Sequence, residues 1–254
     1  SKTVKDAAPG PRRRTMRILA IDTSFGSGSV AAVDEGGMAE RSLGPAGSHA
    51  RVLTAALAGV AADRGWGERG DLGPDDVIAV VRGPGSFTGL RVGVTAAKAL
   101  AWASGARLVG VSGFEGLARS ARRIAGWHDS PIAVAYDAGR GEVFAALATP
   151  AADRWTIAPP SLVPLDAWLD SLPGGSRVTG PALDVASERW NARPDLALAP
   201  PDARSPSAME AAVIARVRAE VGDVDDPHTL LPDYLRPSYA EERLSLIHIS
   251  EPTR

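Results

Sequence analysis

One pattern occurs twice in this chain. Arg17 to Asp22 (RILAID) is a short apolar run that ends on an acid. Thr23 to Gly28 (TSFGSG) has turn chemistry, and Ser29 to Asp34 (SVAAVD) reads as the returning strand. About 115 residues later the same design recurs: Ile132 to Asp137 (IAVAYD), a turn at Ala138 to Gly141 (AGRG), and a return over Glu142 to Ala148. A repeat at the scale of a half-molecule divides the 254 residues into two units built alike.

The segments between the repeats alternate strand and helix. Another strand is expected between Met38 and Leu43. Val52, Leu53, Ala56, Leu57, Val60 and Ala61 fall on one helical face, with Ser48 as a cap and Gly65 and Gly67 as stops. Val77 to Val81 is a buried strand, Ser86 to Ala103 a helix, and Arg107 to Val111 a strand. The alternation continues through Leu165–Leu172, Val178–Gly180, Leu183–Trp190 and a helix over Ser207–Val221, and Asp223 to Pro232 reads as a loop. This is an α/β chain with helices covering mixed sheets. The expected division is a first subdomain at 16–125 and a second at 126–242. Residues 1–15 are expected to be a non-native or disordered leader and 243–254 an artefactual tail.

Several function classes are excluded. With no cysteine, there is no disulfide, thiolate zinc site or cysteine nucleophile. No secretory signal is read and no run reaches the ~18–20 apolar residues of a membrane span, so a cytoplasmic location without membrane contact is expected. The net charge is −2, but residues 1–15 hold five basic residues against Asp6, which leaves −6 for the rest. So acidic a body matches the nucleic-acid backbone poorly, and any nucleic acid would have to be held by something else. No two of the four histidines (His49, His128, His228, His248) stand four apart, so no histidine metal centre is expected. No Ser-His-Asp set or Gly-x-Ser-x-Gly elbow is present, and no catalytic residue is assigned.

The segment Val77 to Lys98 (VIAVVRGPGSFTGLRVGVTAAK) carries the chemistry that remains. A strand enters Gly83-Pro84-Gly85 and leaves as a helix capped by Ser86 or Thr88, with Gly89 in its first turn. Gly83 and Gly85 permit backbone angles that a Cβ forbids. The first helical amides suit an anion such as phosphate, although the same residues also make a tight strand–helix turn. The loop is not a Walker motif, because no Gly-Lys-Ser/Thr follows. Asp22, Thr23 and Ser24 form a turn able to face phosphate and magnesium or to make an Asx turn. Asp137 ends the matching strand of the second hairpin, where Arg140 and Glu142 read as a surface pair. After Met16, Lys98 is the one lysine among many arginines, which marks a position where a compact ammonium matters, or chance. His49 reads as a helix-start or interface residue.

Taken in order, ILAIDTS (Ile18–Ser24), SVAAV (Ser29–Val33), SHARVL (Ser48–Leu53), GPGSFTGLRVGVTAAKALA (Gly83–Ala101), YDAGRGEVF (Tyr136–Phe144) and PDYLRPSYA (Pro232–Ala240) resemble the TsaB (YeaZ) family over Met16 to about Glu242. The resemblance implies an actin-like ATPase (ASKHA) fold of two similar subdomains. It also implies a non-catalytic subunit that acts with TsaD and TsaE in threonylcarbamoylation of the adenosine beside the tRNA anticodon. Pairing with TsaD, or with a second copy of the chain, would use helices of the first subdomain, with His49, Val52, Leu53, Leu57, Arg91 and Lys98 as interface candidates. No tightly bound cofactor is implied; ATP or ADP with magnesium would enter in the complex. The sequence departs from the family pattern at Gly139, where a larger residue is common, and after His49, where a proline is missing. Alternative readings are the TsaD subunit itself, a small-molecule kinase of the same superfamily, and a scaffold that binds no nucleotide. The first is disfavoured by the missing His-x-x-x-His pair.

Overall fold

The computed structural model describes residues 15–67, 72–152 and 154–236; the expected tail and all of the expected leader except Thr15 lie outside them. The strands form two sheets of one design. β1 (Ile18–Asp22), β2 (Ser29–Asp34), β3 (Gly37–Ser42), β4 (Val77–Gly83) and β5 (Arg107–Ser112) are ordered β3-β2-β1-β4-β5. β1 pairs antiparallel with β2 and parallel with β4. In the second sheet β6 (Ile132–Gly139) takes the part of β1. It pairs antiparallel with β7 (Glu142–Ala151) and parallel with β10 (Arg177–Thr179), with β8 (Arg154–Ile157) and β11 (Ala197–Leu198) outside them. β9 (Ser161–Pro164) also pairs with β7. The hairpin repeat read in the sequence is therefore a repeat of sheet topology, with Asp22 and Asp137 at matching strand ends.

The continuous apolar runs of β1 and β4 are buried throughout their first five residues, as central strands covered on both faces must be. Helices α1 (His49–Asp63) and α2 (Phe87–Ser104) cover one face of the first sheet; Leu53, Leu57, Val60, Val94 and Ala97 pack there on Leu19, Ile21, Ile78 and Val80. The second sheet is covered on its outer face by α4 (Leu165–Ser171) and α5 (Ser187–Asn191), where Leu169 and Trp190 pack.

Between the sheets the helices are exchanged. α3 (Gly113–Ala125) follows the first sheet but packs Phe114, Leu117, Ala118 and Ala121 against β6 and β7 of the second. α6 (Ala208–Glu220) follows the second sheet but packs Ala211, Ala212, Ile214 and Ala215 on the first. The linear division at residue 125 thus describes the sheets and not the helices that complete their cores. α3 is absent from the elements read in the sequence, although Phe114, Leu117, Ala118 and Ala121 recur at i, i+3, i+4 and i+7. The buried Glu210 of α6 joins the two helices, accepting from Arg123 at 2.9 Å.

The segment read as a loop after Asp223 is a strap across the first sheet. Asp225 bridges to Leu108, Leu230 is buried in the core, and Asp233 N donates to Arg82 O. Lys98 donates to the carbonyls of Leu230 (3.1 Å) and His228 (3.4 Å). The lone lysine of the body therefore holds the strap. Ser48 also departs from expectation: it precedes α1 but donates to the carbonyls of Leu43 and Pro45 and caps no helical amide.

Leu230→Ala is expected to cost about 2–5 kcal/mol, because it opens a cavity in the core and frees the strap. Urea unfolding measures this, and a loss below about 1 kcal/mol would mean that the strap is not anchored through this side chain.

Candidate functional site

A cleft of about 1310 Å³ lies where the two hairpin turns, the signature loop and the strap converge. Thr23 and Ser24 supply one wall, Pro84, Gly85, Ser86, Thr88 and Gly89 the next, Asp137 and Gly139 the third, and Tyr234 and Arg236 the rim. His49 and Arg91 also reach it. The structure thus gathers most of the sequence-predicted loop residues around one space.

The loop is held there by close backbone approach. Ser86 N donates to Ser24 O at 2.8 Å, and Thr23 Oγ1 donates to Gly89 O at 2.7 Å. A Cβ on Gly85 would stand 2.4 Å from Ser24 O, and one on Gly89 2.1 Å from Thr23 O. On Gly93 it would meet Thr23 Oγ1 at 2.3 Å. Gly85 is therefore required for space and not for a special backbone angle, which corrects the sequence reading. Gly83 is likewise covered, with Asp233 O 2.8 Å from its Cβ position, and it does not line the cleft. Ser86 caps α2 by accepting from Gly89 N at 3.1 Å, so one of the amides offered to an anion is already satisfied.

Asp22 does not face the cleft. It is 1% exposed, and its Oδ1 accepts from Ser24 N at 2.9 Å and Ser24 Oγ at 2.6 Å. Its Oδ2 has no hydrogen-bond partner among the described residues, and neither has the buried Tyr136 hydroxyl. Burial pushes the Asp22 carboxyl above its ordinary value against the pull of Ser24. Burial, and then the Asp22 charge, push the Tyr136 hydroxyl well above its ordinary value. Tyr136 stands between Phe25 and Phe114, edge to face with both. A carboxylate sealed in this way is not a magnesium ligand, and no three His, Cys, Asp or Glu side chains among the described residues could hold a metal ion. The magnesium expectation therefore has no fit at Asp22.

Asp137 is the outward counterpart. Its Oδ1 accepts from Gly139 N at 2.9 Å in an Asx-type turn. Glu142, expected to pair with Arg140, receives Arg236 from the strap, which also donates to Ala138 O at 2.9 Å. Arg91 lies 3.9 Å over the Phe87 ring and donates to Tyr234 Oη at 3.0 Å, and the two rings are 4.8 Å apart. Phe87, Tyr234 and Arg236 were not singled out from the sequence as site residues, although Phe87 sits inside the signature loop and the other two inside the PDYLRPSYA segment.

The remaining interface candidates are placed inward. His49 is buried against Gly28 with Nε2 3.2 Å from Gly44 O. Val52 is partly buried, while Leu53 and Leu57, the latter 8% exposed, belong to the core. Leu53 and Leu57 line an open apolar groove of about 470 Å³ between α1 and α2, together with Leu100 and the exposed Thr54, Ala58 and Ala99. Trp102 on α2 is 78% exposed and lines a separate pocket with Ala99, Lys98, Pro227 and His228.

A TsaB protein of Bacillus subtilis is 33% identical over 184 residues, which cover 68% of this chain and 76% of that protein. The chain belongs to the TsaB (YeaZ) family. A TsaB protein of Escherichia coli is 35% identical over 130 residues, 51% of this chain and about half (53%) of that protein. The family model described as TsaD, tRNA N6-adenosine threonylcarbamoyltransferase, matches residues 49–186. The solved YeaZ of Pseudomonas aeruginosa superposes with a TM-score of 0.70 at 25% identity, covering 87% of this chain and 100% of that one. A second structure, of a protein from the same organism described as similar to peptidase YeaZ, gives 0.72 at 26% identity with the same coverage. The fold is thereby the actin-like ATPase fold, and the two sheets of one topology are its halves.

Two outcomes follow from this geometry. Gly89→Ala is expected to destabilise by roughly 1–3 kcal/mol or more, since the backbone at Thr23 must move; Gly116→Ala, whose Cβ would meet only Glu210 Cβ at 3.9 Å, should cost less. Thermal unfolding of the pair checks the order. Because the Asp22 carboxyl is raised in the folded chain, ionised Asp22 costs stability near neutral pH, and the cost fades as pH falls through the folded value towards the unfolded value of about 3.9. Asp22→Asn should therefore be the more stable protein at about pH 8 and show a flatter stability–pH curve. A variant with an unchanged pH slope would contradict an ionising, buried Asp22.

Proposed function

We propose that this chain is the non-catalytic subunit that binds and activates TsaD, working with TsaE in forming N6-threonylcarbamoyladenosine beside the tRNA anticodon. The observation that carries this reading is the apolar groove between α1 and α2, which the described residues leave uncovered. Its floor is core side chains and its rim is the small residues Thr54, Ala58 and Ala99; Trp102, one turn along α2 from Ala99, is exposed over an adjoining pocket that shares Ala99. Small rim residues let another helix approach closely, and an exposed Trp is the residue type that anchors interfaces. The relatives' names, TsaB proteins of tRNA threonylcarbamoyladenosine biosynthesis, supply the pathway. The acidic body supports indirect contact with tRNA, through the complex. A second copy of the chain is the alternative occupant of the groove.

The reading assigns this chain no catalytic residue and no tightly bound cofactor. The cleft has room for an ATP or ADP phosphate in the assembled complex, but Asp22 offers no ligand to its magnesium. A cytoplasmic site of action belongs to the same reading; no helix among the described residues is long and apolar enough to cross a membrane.

Leu57 is a poor test position because it is part of the core. Ala58→Glu and Ala99→Glu place a charge on the rim instead. Each is expected to abolish co-elution with TsaD in gel filtration while leaving the circular dichroism unchanged. Each should also reduce tRNA threonylcarbamoylation by the reconstituted proteins to the level without this chain. Unchanged co-elution and activity in both variants would refute the proposal; loss of self-association alone would favour the homodimer.

A further inference from the structure

A second cavity, of about 290 Å³, opens where α3, α6, β8 and the end of β4 meet. Four arginines line it, Arg82, Arg119, Arg154 and Arg218, with Glu115, Asp223 and Asp225 as the acids. Their pairings are unequal. Arg218 is engaged by Asp223 and Asp225 at 3.0 and 3.3 Å, and Arg82 by Asp233 at 3.0 Å. The half-exposed Arg154 shares Asp223 at 3.2 Å. Arg119 is the least compensated: Glu210 lies 3.7 Å away and is held more closely by Arg123 at 2.9 Å.

Two donors at this place make no hydrogen bond among the described residues, and Arg119 Nε has only the long contact to Glu210. Arg119 Nε and Trp155 Nε1 are buried without a hydrogen-bond partner among the described residues, and Trp155 is 6% exposed. An unpaired buried donor costs about 1–3 kcal/mol, so a pair of them beside one cavity points to a missing acceptor. Ser112, the N-cap of the 13-residue α3, also lines the cavity, and its side chain caps no amide. The positive end of the α3 dipole therefore stands at the same wall. Glu115 is the internal carboxylate. Burial holds its carboxyl above the ordinary value, against the neighbouring Arg119.

We infer that this cavity is a binding site for a small oxyanion of the phosphate class, held by Arg119, Arg154, the Trp155 indole N–H and the first turn of α3. Guanidinium groups match phosphate oxygens in pairs, and the indole contributes a neutral donor of fixed direction. The site belongs to neither half alone. α3 is packed on the second sheet and α6 on the first, so an occupant ties the exchanged helices together. It is separate from the cleft at the signature loop and does not depend on the reading of this chain as a TsaD partner.

The test is isothermal titration of the full chain with inorganic phosphate, and in a second arm with AMP, at low ionic strength. Saturable binding of one equivalent is expected, weakened about tenfold or more by Trp155→Phe, which keeps the ring and removes the donor. Arg154→Met, at a half-exposed position that should not disturb folding, is expected to weaken it similarly. Tighter binding of AMP than of phosphate would identify a mononucleotide as the source, and equal or weaker binding a free anion. Absence of saturable binding would overturn the inference. So would binding that both variants leave unchanged, or that Thr88→Ala in the signature loop abolishes while the two cavity variants do not.

Discussion

The approach of α2 to the first hairpin turn sets the geometry of everything around it. Three glycines one helical turn apart, Gly85, Gly89 and Gly93, let the loop and helix lie directly on the backbone and side chain of Thr23 and Ser24. The contact fixes the helix start, which Ser86 then caps, and so fixes the direction of α2 across the sheet. The groove against α1 and the mouth of the cleft are consequences of that direction. What reads as a phosphate loop by its glycines is, in physical terms, first a packing device. Any ligand in the cleft meets a surface already shaped by this contact.

The polar centre of the molecule is divided between the halves in an unequal way. Asp22 ends β1 and turns inward under Ser24, whereas Asp137 ends the matching strand and turns outward at the cleft. The topological repeat is thus broken in its chemistry. One carboxylate is sealed against solvent and the other is half-exposed, so the two matching positions offer different surroundings. The strap adds a second asymmetry. It brings Arg236 to the second hairpin and Tyr234 to Arg91, so the cleft is closed on one side by residues that have no counterpart in the first half.

Much of this was legible in the sequence. Local patterns are strong where a segment's own residues decide its state. The twin hairpins, the strand at Val77 and the capped helix after Gly85 all follow from such patterns. The failures share one cause. Periodicity says that a helix has an apolar face but not which neighbour covers it, so Leu53 and Leu57 read equally well as core and as interface. Lys98 carries no local sign that its ammonium meets the carbonyls of His228 and Leu230, some 130 residues away. Asp22 and Asp137 look alike in sequence because the burial that separates them is set by the fold, which brings Tyr136 of another element to Asp22. The amphipathic pattern of α3 was readable; its destination on the other sheet was not.

The exchange of α3 and α6 has a consequence for how the chain is made. The first sheet is complete in sequence at Ser112, but its inner face is covered mainly by α6, which ends at Glu220. At a synthesis rate of roughly 5–20 residues per second, that face waits on the order of 5–20 s for its cover. During this interval Ile18, Val33, Val77 and Val109 have no native partner from α6. α3 emerges at once, but its own apolar face needs a second sheet that has not yet been translated. The nascent first half is therefore an open-faced intermediate. Its commitment to the native state comes late, when the last helix closes over the first strands.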